Sequence, residues 1–176
     1  MILKLSIAAM VMAASVYAGN LTFESGTIKA HTEVFGDSTI DPVSKKATSH
    51  LMMDHVPSTL EGSIEVGLED FISDNKKRDE NMHEALESST FPKAVFQINN
   101  MTVQGGGKYT LIGVMTLHGV SKAMNFEGTI AQEENKVHIK AAGTLKMSDF
   151  GIKPIKLMFL TVRDQVDVSV DISLKR

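Results

Sequence analysis

The sequence predicts an all-β protein: a single antiparallel eight-stranded β-barrel with one short α-helix. Apolar and polar residues alternate with period two over most of the chain, turn residues separate the alternating runs at short intervals, and glycines fall inside the runs. The composition fits one folded domain, since 176 residues with 43% hydrophobic and 22% charged side chains exclude disordered and low-complexity classes. Beyond the first twenty positions no apolar run reaches the 18 residues a spanning helix needs, so the body of the chain is expected not to be membrane-spanning. With 18 basic against 21 acidic residues, and no basic cluster longer than Lys76-Lys77-Arg78, no nucleic acid is expected as a partner.

The first element is an address. Met1 to Ala18 carries Lys4, an apolar stretch from Leu5 to Ala14, and small or short side chains at Val16 and Ala18, the pattern of a secretory signal peptide. The expected division is a signal over 1–18 and one barrel domain over 19–176, with a periplasmic location. The absence of cysteine excludes disulfides, thiolate metal sites, cysteine nucleophiles and a lipid-modified N-terminal cysteine.

From Gly19 onward the runs read as strands. Leu21 to Glu24, Ile28 to Phe35, Ala47 to Met53 and Leu60 to Leu68 are strand-like but irregular. One stretch reads as a helix, from about Asn75 to Glu87: Ser73-Asp74 supplies candidate caps, Met82, Ala85 and Leu86 share a face, and Phe91-Pro92 follows as a stop. Gln104-Gly105-Gly106-Gly107 then divides the strand around Phe96 and Ile98 from one holding Tyr109 to Leu117, and Glu133-Glu134-Asn135 divides the next two. Val137 to Met147 alternates cleanly, Ser148 to Gly151 forms a short helical or irregular turn, and Val166 to Leu174 alternates again. That makes eight or nine strands. So many short-looped strands, each with one apolar face, must close into a barrel or stack into a sandwich. Their length, and Gly62, Gly113, Gly128 and Gly143 inside them, favour the coiled barrel.

Motifs of covalent chemistry are scarce. The six histidines form no His-x-His or His-Glu-x-x-His pair, and only His50, Asp54 and His55 approach a ligand cluster, by a spacing common by chance. No metal, no cofactor and no catalytic residue is expected. There is no Gly-x-Ser-x-Gly elbow, and the Gly105 to Gly107 run joins strands instead of opening a helix, so it is no phosphate cradle. What recurs is an apolar face rich in methionine and phenylalanine. In an eight-stranded barrel that face either fills the interior or encloses one small ligand, and methionine suits a pocket that adapts to a flexible chain.

Three stretches resemble the YceI-like, polyisoprenoid-binding family. Arg78-Asp79 through Phe91-Pro92-Lys93-Ala94-Val95-Phe96 is similar to its Arg-Asp-x-His-Leu and Pro-x-x-x-Phe pattern. Met115-Thr116-Leu117-His118-Gly119-Val120-Ser121-Lys122 is similar to its Leu-Thr-x-His-Gly-Val-Thr-Lys hairpin, and Met147-Ser148-Asp149-Phe150-Gly151-Ile152 to its Arg-Ser-Asp-Phe-Gly-Ile turn. The match covers about residues 60 to 176. Asn81 and Met82 stand where His-Leu would lie, Met147 replaces the usual Arg, and the N-terminal third departs from the common pattern.

The resemblance implies an exported, lipocalin-like barrel that holds an isoprenoid, an isoprenoid quinone or another long amphipathic lipid in an apolar tunnel, without covalent chemistry. The expected lining, chosen because each residue lies on the apolar phase of its strand, is Phe96, Ile98, Leu111, Met115, Met124, Phe126, Ile139, Leu145 and Met147. Phe150, Met158 and Phe159 are placed at the mouth, and Arg78, His118 and Lys122 are the head-group candidates. Asp79 and Asp149 are expected to orient or cap. Two other classes remain open: an enzyme acting on a lipid or quinone, and a ligand-free secreted stress or interaction protein. An acidic barrel with exposed strand ends could also form a homodimer.

Overall fold

The structure, a computed structural model, describes residues 19–34, 38–153, 156–157 and 160–176. The signal stretch 1–18 and the mouth candidates Met158 and Phe159 lie outside the described residues.

The longest strand is β1, Gly19–Val34, followed by the short β2 (Ser38–Ile40) and β3 (Val43–Ser44), then β4 (Thr48–Met53) and β5 (Glu61–Gly67). Helix α1 (Lys76–Ala85) precedes four long strands in succession: β6 (Lys93–Gly105), β7 (Lys108–Leu117), β8 (Val120–Gln132) and β9 (Lys136–Lys146). The two-residue strands β10 (Lys156–Leu157) and β11 (Leu160–Thr161) pair with each other, and β12 (Gln165–Lys175) follows. Eight of these form the wall. Each is antiparallel to its neighbours in the order β12-β9-β8-β7-β6-β5-β4-β1, and the pairing of β12 with β1 closes the cylinder. The expected eight-stranded barrel is therefore present.

The alternation turns into burial where the pattern was clean. Along β12, Ile172 and Leu174 are buried while Asp171 is exposed, and along β9 Val137, Ile139 and Ala141 are buried between exposed lysines. The N-terminal third needs correction, because Leu21 to Glu24 and Ile28 to Val34 belong to one strand, Phe35 lying outside the described residues. The register against β12 slips between Phe23 and Ser25, a bulge that moves the inward phase from Leu21 and Phe23 to Ile28, Ala30, Thr32 and Val34. Next to the slip Gly26 has φ +135, and a Cβ there would lie 2.3 Å from the Asp171 carbonyl oxygen.

The segment after β1 folds back along it in three short pairings. β2 pairs with Thr32 to Val34, β3 with Ile28 and Lys29, and β4 with Gly19 to Leu21. Asp41 pins this return. Its carboxylate lies 2.9 Å from Lys29 Nζ and 2.7 Å from His31 Nδ1.

Helix α1 is shorter than expected and differently capped. Asn75, not Ser73 or Asp74, is the N-cap, its side chain accepting from the Arg78 N–H at 3.1 Å. Ser73 turns instead to the buried Asp79 carboxylate. The second turn is a 3-10 helix, Met147–Phe150, ended by Gly151 at φ +73. Its capping carboxylate comes from Asp164, which accepts from the Ser148 N–H at 2.8 Å and the Ser148 hydroxyl at 2.6 Å. Those bonds hold the Asp164 carboxyl below its usual range, and Asp149 is exposed without a capping bond.

Two layers divide the interior. At one end Leu21, Leu51, Met53, Val137, Ile172 and Leu174 pack with almost no exposure. Toward the other end, where α1 and the short strands gather, the packing opens.

Candidate functional site

The inward faces of the wall strands enclose a cavity of about 190 Å³. Among the described residues its lining is apolar except for Thr32, Arg78 and Asn81. The Thr32 hydroxyl is already spent on the backbone carbonyls of Gln165, at 2.9 Å, and Arg163, at 3.1 Å. Arg78 and Asn81 both come from α1, which also contributes Met82 and, at its C-cap, Leu86, so the polar groups of the lining that are not tied down in the wall sit at the end of the barrel that carries the helix. Arg78 is half-buried, and its Nη1 donates to the Thr39 carbonyl at 3.0 Å, which ties the helix to β2. The remaining guanidinium N–H groups suit an anionic or carbonyl-bearing head group.

Eight of the nine expected lining residues are on the cavity: Phe96, Ile98, Leu111, Met115, Phe126, Ile139, Leu145 and Met147. Met124 is not. It is partly buried against the core, opposite Gly113 in the register, where the Phe96 ring already covers the glycine. Phe150 is a correction as well: it is 2% exposed, inside the 3-10 turn, and packs as core instead of forming a rim.

Of the head-group candidates, Arg78 alone reaches the cavity. His118 serves the scaffold. A carbonyl can only accept, so its Nδ1 carries the proton donated to the Phe150 oxygen at 3.2 Å, while its ring lies 4.4 Å from the Phe91 ring and its Nε2 3.6 Å from Glu87 Oε1. The histidine thereby joins the 3-10 turn to the residues that follow α1. It adopts φ +51, stabilised by these contacts at the tip of the β7–β8 hairpin. Lys122 is exposed, on the part of β8 that has no ladder to β9, since that pairing begins at Glu127 with Ala142.

Other lining residues escaped the sequence reading. Val166, Val168, Val170 and Ile172 of β12 carry the clearest alternation in the chain, and that alternation is the signal that could have placed them on the cavity. Asn81 and the residues Ile40 and Pro42 gave no such signal, because Asn81 is a polar residue within α1, and a three-residue strand with the turn after it has no period to read.

An aromatic pair shapes the lumen. Phe96 of β6 and Phe126 of β8 meet edge to face, with centroids 4.8 Å apart and planes at 65°. They meet beside the glycine of the strand between them. A Cβ on Gly113 would lie 2.8 Å from Phe96 Cζ, and a Cβ on Gly143 of β9 2.9 Å from Phe126 Cδ1.

Among the described residues no group of three or more histidines, acids or cysteines could hold a metal, and His50, Asp54 and His55 are not such a group. No helix among them is long and apolar enough to cross a membrane.

Comparison with known proteins agrees with this geometry. No curated protein gives a significant match. Several solved structures share the fold. One is BcnA of Burkholderia cenocepacia, with TM-score 0.75 and 18% identity over 84% of this chain and 95% of that one. Another is a polyisoprenoid binding domain from Saccharophagus degradans implicated in plant cell wall breakdown, with TM-score 0.68 and 10% identity over 89% and 97%. A YceI protein of Campylobacter jejuni aligns with TM-score 0.56 and 14% identity over 100% and 93%. At these identities the structures speak for the fold, and the sequence itself supplies the kinship: a model of the YceI-like domain matches residues 6–174, nearly the whole chain. That match spans the closed barrel, α1 and the stretches around Arg78, His118 and Phe150, and the chain belongs to the YceI-like family.

Proposed function

We propose that this protein is an exported binding or carrier protein that holds the apolar tail of an isoprenoid, an isoprenoid quinone or another amphipathic lipid inside the barrel, without transforming it. The observation that carries the reading is the cavity itself: about 190 Å³ lined by apolar side chains, with Arg78 and Asn81 of α1 as polar groups at one end. Such a lining binds by removing apolar surface from water, at about 25 cal/mol per Å², and orients its guest through a few polar contacts at one end. The polyisoprenoid-binding domain that shares the fold supports the same class of ligand. Export rests on the Met1 to Ala18 pattern, and the periplasm is the compartment it addresses.

The test is native mass spectrometry of protein purified from the periplasm of its own cells, followed by organic extraction of whatever is bound. A stoichiometric prenyl or acyl species supports the reading. A mass equal to the bare chain, with no uptake of added amphiphiles, rejects it.

A further inference from the structure

We infer that the barrel has a lateral portal: a lipid tail enters and leaves between β8 and β9, as the 3-10 turn Met147–Phe150 swings away from a latch on His118. The portal presupposes the binding role proposed above and adds how the cavity is reached. At about 190 Å³ the lumen is only moderately larger than a cavity of about 150 Å³ that takes a benzene-sized guest. A long tail therefore enters only where the wall gives way, and a continuous hydrogen-bonded ladder resists that most.

The ladder between β8 and β9 runs from Gln132 with Val137 to Glu127 with Ala142 and ends there. Both strands continue, Val120 to Phe126 bonded to β7 and Gly143 to Lys146 bonded to β12, and among the described residues no backbone bond joins them again. Two other ladders also break, but their strands stay tied. Between β1 and the segment after it, pairing stops at Leu21 with Leu51 and resumes in the same register at Ile28 with Ser44. Past the ladder of β1 with β12, the Arg163 N–H donates to the Glu33 carbonyl at 2.7 Å.

The 3-10 turn fills the fork. It packs against both strands, with Met147, Phe150 and the following Ile152 buried, and Met147 and Ile152 reach the cavity. Its fastening is uneven. On the β12 side Asp164 accepts the Met147 N–H at its carbonyl and both donors of Ser148 at its carboxylate. On the β8 side, among the described residues, the turn is held by the single bond from His118 Nδ1 to the Phe150 carbonyl, at 3.2 Å. His118 Nε2 makes no hydrogen bond, Glu87 standing off at 3.6 Å. Helix α1 is tied more firmly, by the Asp79 carboxylate to Ser73, by Arg78 to Thr39 and by His83 to the Phe71 carbonyl at 2.9 Å. The turn, hinged at Asp164, is thus the cover that yields first.

His118 adopts φ +51, which Asn and Asp tolerate. His118→Asn therefore keeps a donor for the Phe150 carbonyl, whereas ionised His118→Asp offers only acceptors. The experiment is stopped-flow fluorescence of the full chain with cis-parinaric acid, a long-chain polyene carboxylate that brightens in an apolar cavity, and its displacement by excess geranylgeraniol. His118→Asp should raise association and dissociation rates alike, by about fivefold, with Kd nearly unchanged, because a portal alters the barrier and not the bound state. His118→Asn should keep the wild-type rates, and so should Ser73→Ala, which loosens α1. Wild-type rates in His118→Asp, a change confined to dissociation, or acceleration by Ser73→Ala instead overturns the portal while leaving the cavity reading intact. Hydrogen exchange of the unsubstituted protein gives a second reading: the amides of Gly151 and Ile152 should exchange faster than those of Asp79 to Met82 in α1, and the reverse order overturns the portal. If cis-parinaric acid does not bind the wild type, the proposed function itself fails, and the portal with it.

Discussion

Both oxygens of the Asp79 carboxylate accept the backbone N–H of Ser73, at 3.0 Å each, and one accepts the Ser73 hydroxyl at 2.6 Å. This buried clasp fastens α1 to the chain that leads into it, so the helix carrying Arg78 and Asn81 is held at the barrel end by an anchor one residue away from its binding group.

Asp79→Ala removes that anchor and leaves the Ser73 N–H without its acceptor. The expected cost is about 1 to 3 kcal/mol, the range for hydrogen bonds to a charged group and for a donor left unpaired. Urea unfolding followed by circular dichroism measures it. A change below about 0.5 kcal/mol would show that the clasp is not what holds the helix.

The Asp41 carboxyl is held well below the ordinary carboxylate range by the hydrogen bond from Lys29, with burial opposing and His31 and Thr39 adding to the effect. A depressed folded value makes the ionised form a source of stability above the unfolded pKa of about 3.9, and that stability is lost as pH falls below it toward the folded value. The group is about one-third exposed, so solvent screening keeps its worth near or below about 1 kcal/mol. Asp41→Asn should thus be slightly less stable at pH 7 and lose less than wild type between about pH 4 and pH 2. Comparing the two proteins isolates Asp41 from Asp164, Asp167 and Asp171, whose values are also lowered and which both proteins share. Parallel stability curves across that window would refute the assignment.

Two glycine substitutions should differ sharply. Gly113→Ala drives a Cβ into the Gln97 carbonyl and the Phe96 ring, and overpacking of that kind costs about 3 kcal/mol or more. Gly107→Ala meets nothing within 4 Å and pays only for φ +77, about 1 kcal/mol. Chemical denaturation of both variants provides the comparison, and equal losses would contradict the packing account of Gly113.

Arg78→Ala should weaken an alkyl carboxylate about tenfold more than the alcohol of equal tail length. The lost contact is a charge-assisted hydrogen bond worth about 1.5 kcal/mol or more. Titration of both ligand series against both proteins gives the ratio. If carboxylate and alcohol weaken equally, Arg78 is a structural tie to Thr39 alone.

The long C-terminal strands were legible because period two survives wherever a strand keeps one face in and one face out. Val166 to Leu174 needed nothing but its own alternation. β1 was not legible as one strand, because the bulge at Phe23 and Ser25 exchanges its inward and outward positions halfway along. β2 and β3 were illegible for a different reason: they are two or three residues long and exist through their pairing with β1. The site divided in the same manner. Most of the lining followed from strand phase, whereas Met124 was misplaced because phase says which side a residue faces, and the space on that side belonged to the Phe96 ring. His118 was misread because residue type suggested a donor for a ligand, and the actual acceptor, the Phe150 carbonyl, lies 32 positions away.

The ladder between β1 and β12 joins Thr22 to Lys175 and His31 to Asp167. Synthesis therefore delivers the first wall strand long before the partner that shuts the cylinder. Until β12 emerges, β1 has one edge unsatisfied and β9 another, and no sequence of local hairpins can cover both. Closure must await contacts of the greatest sequence separation in the molecule, which makes folding slow and late. The container therefore exists only where the two ends of the chain have met along that one seam.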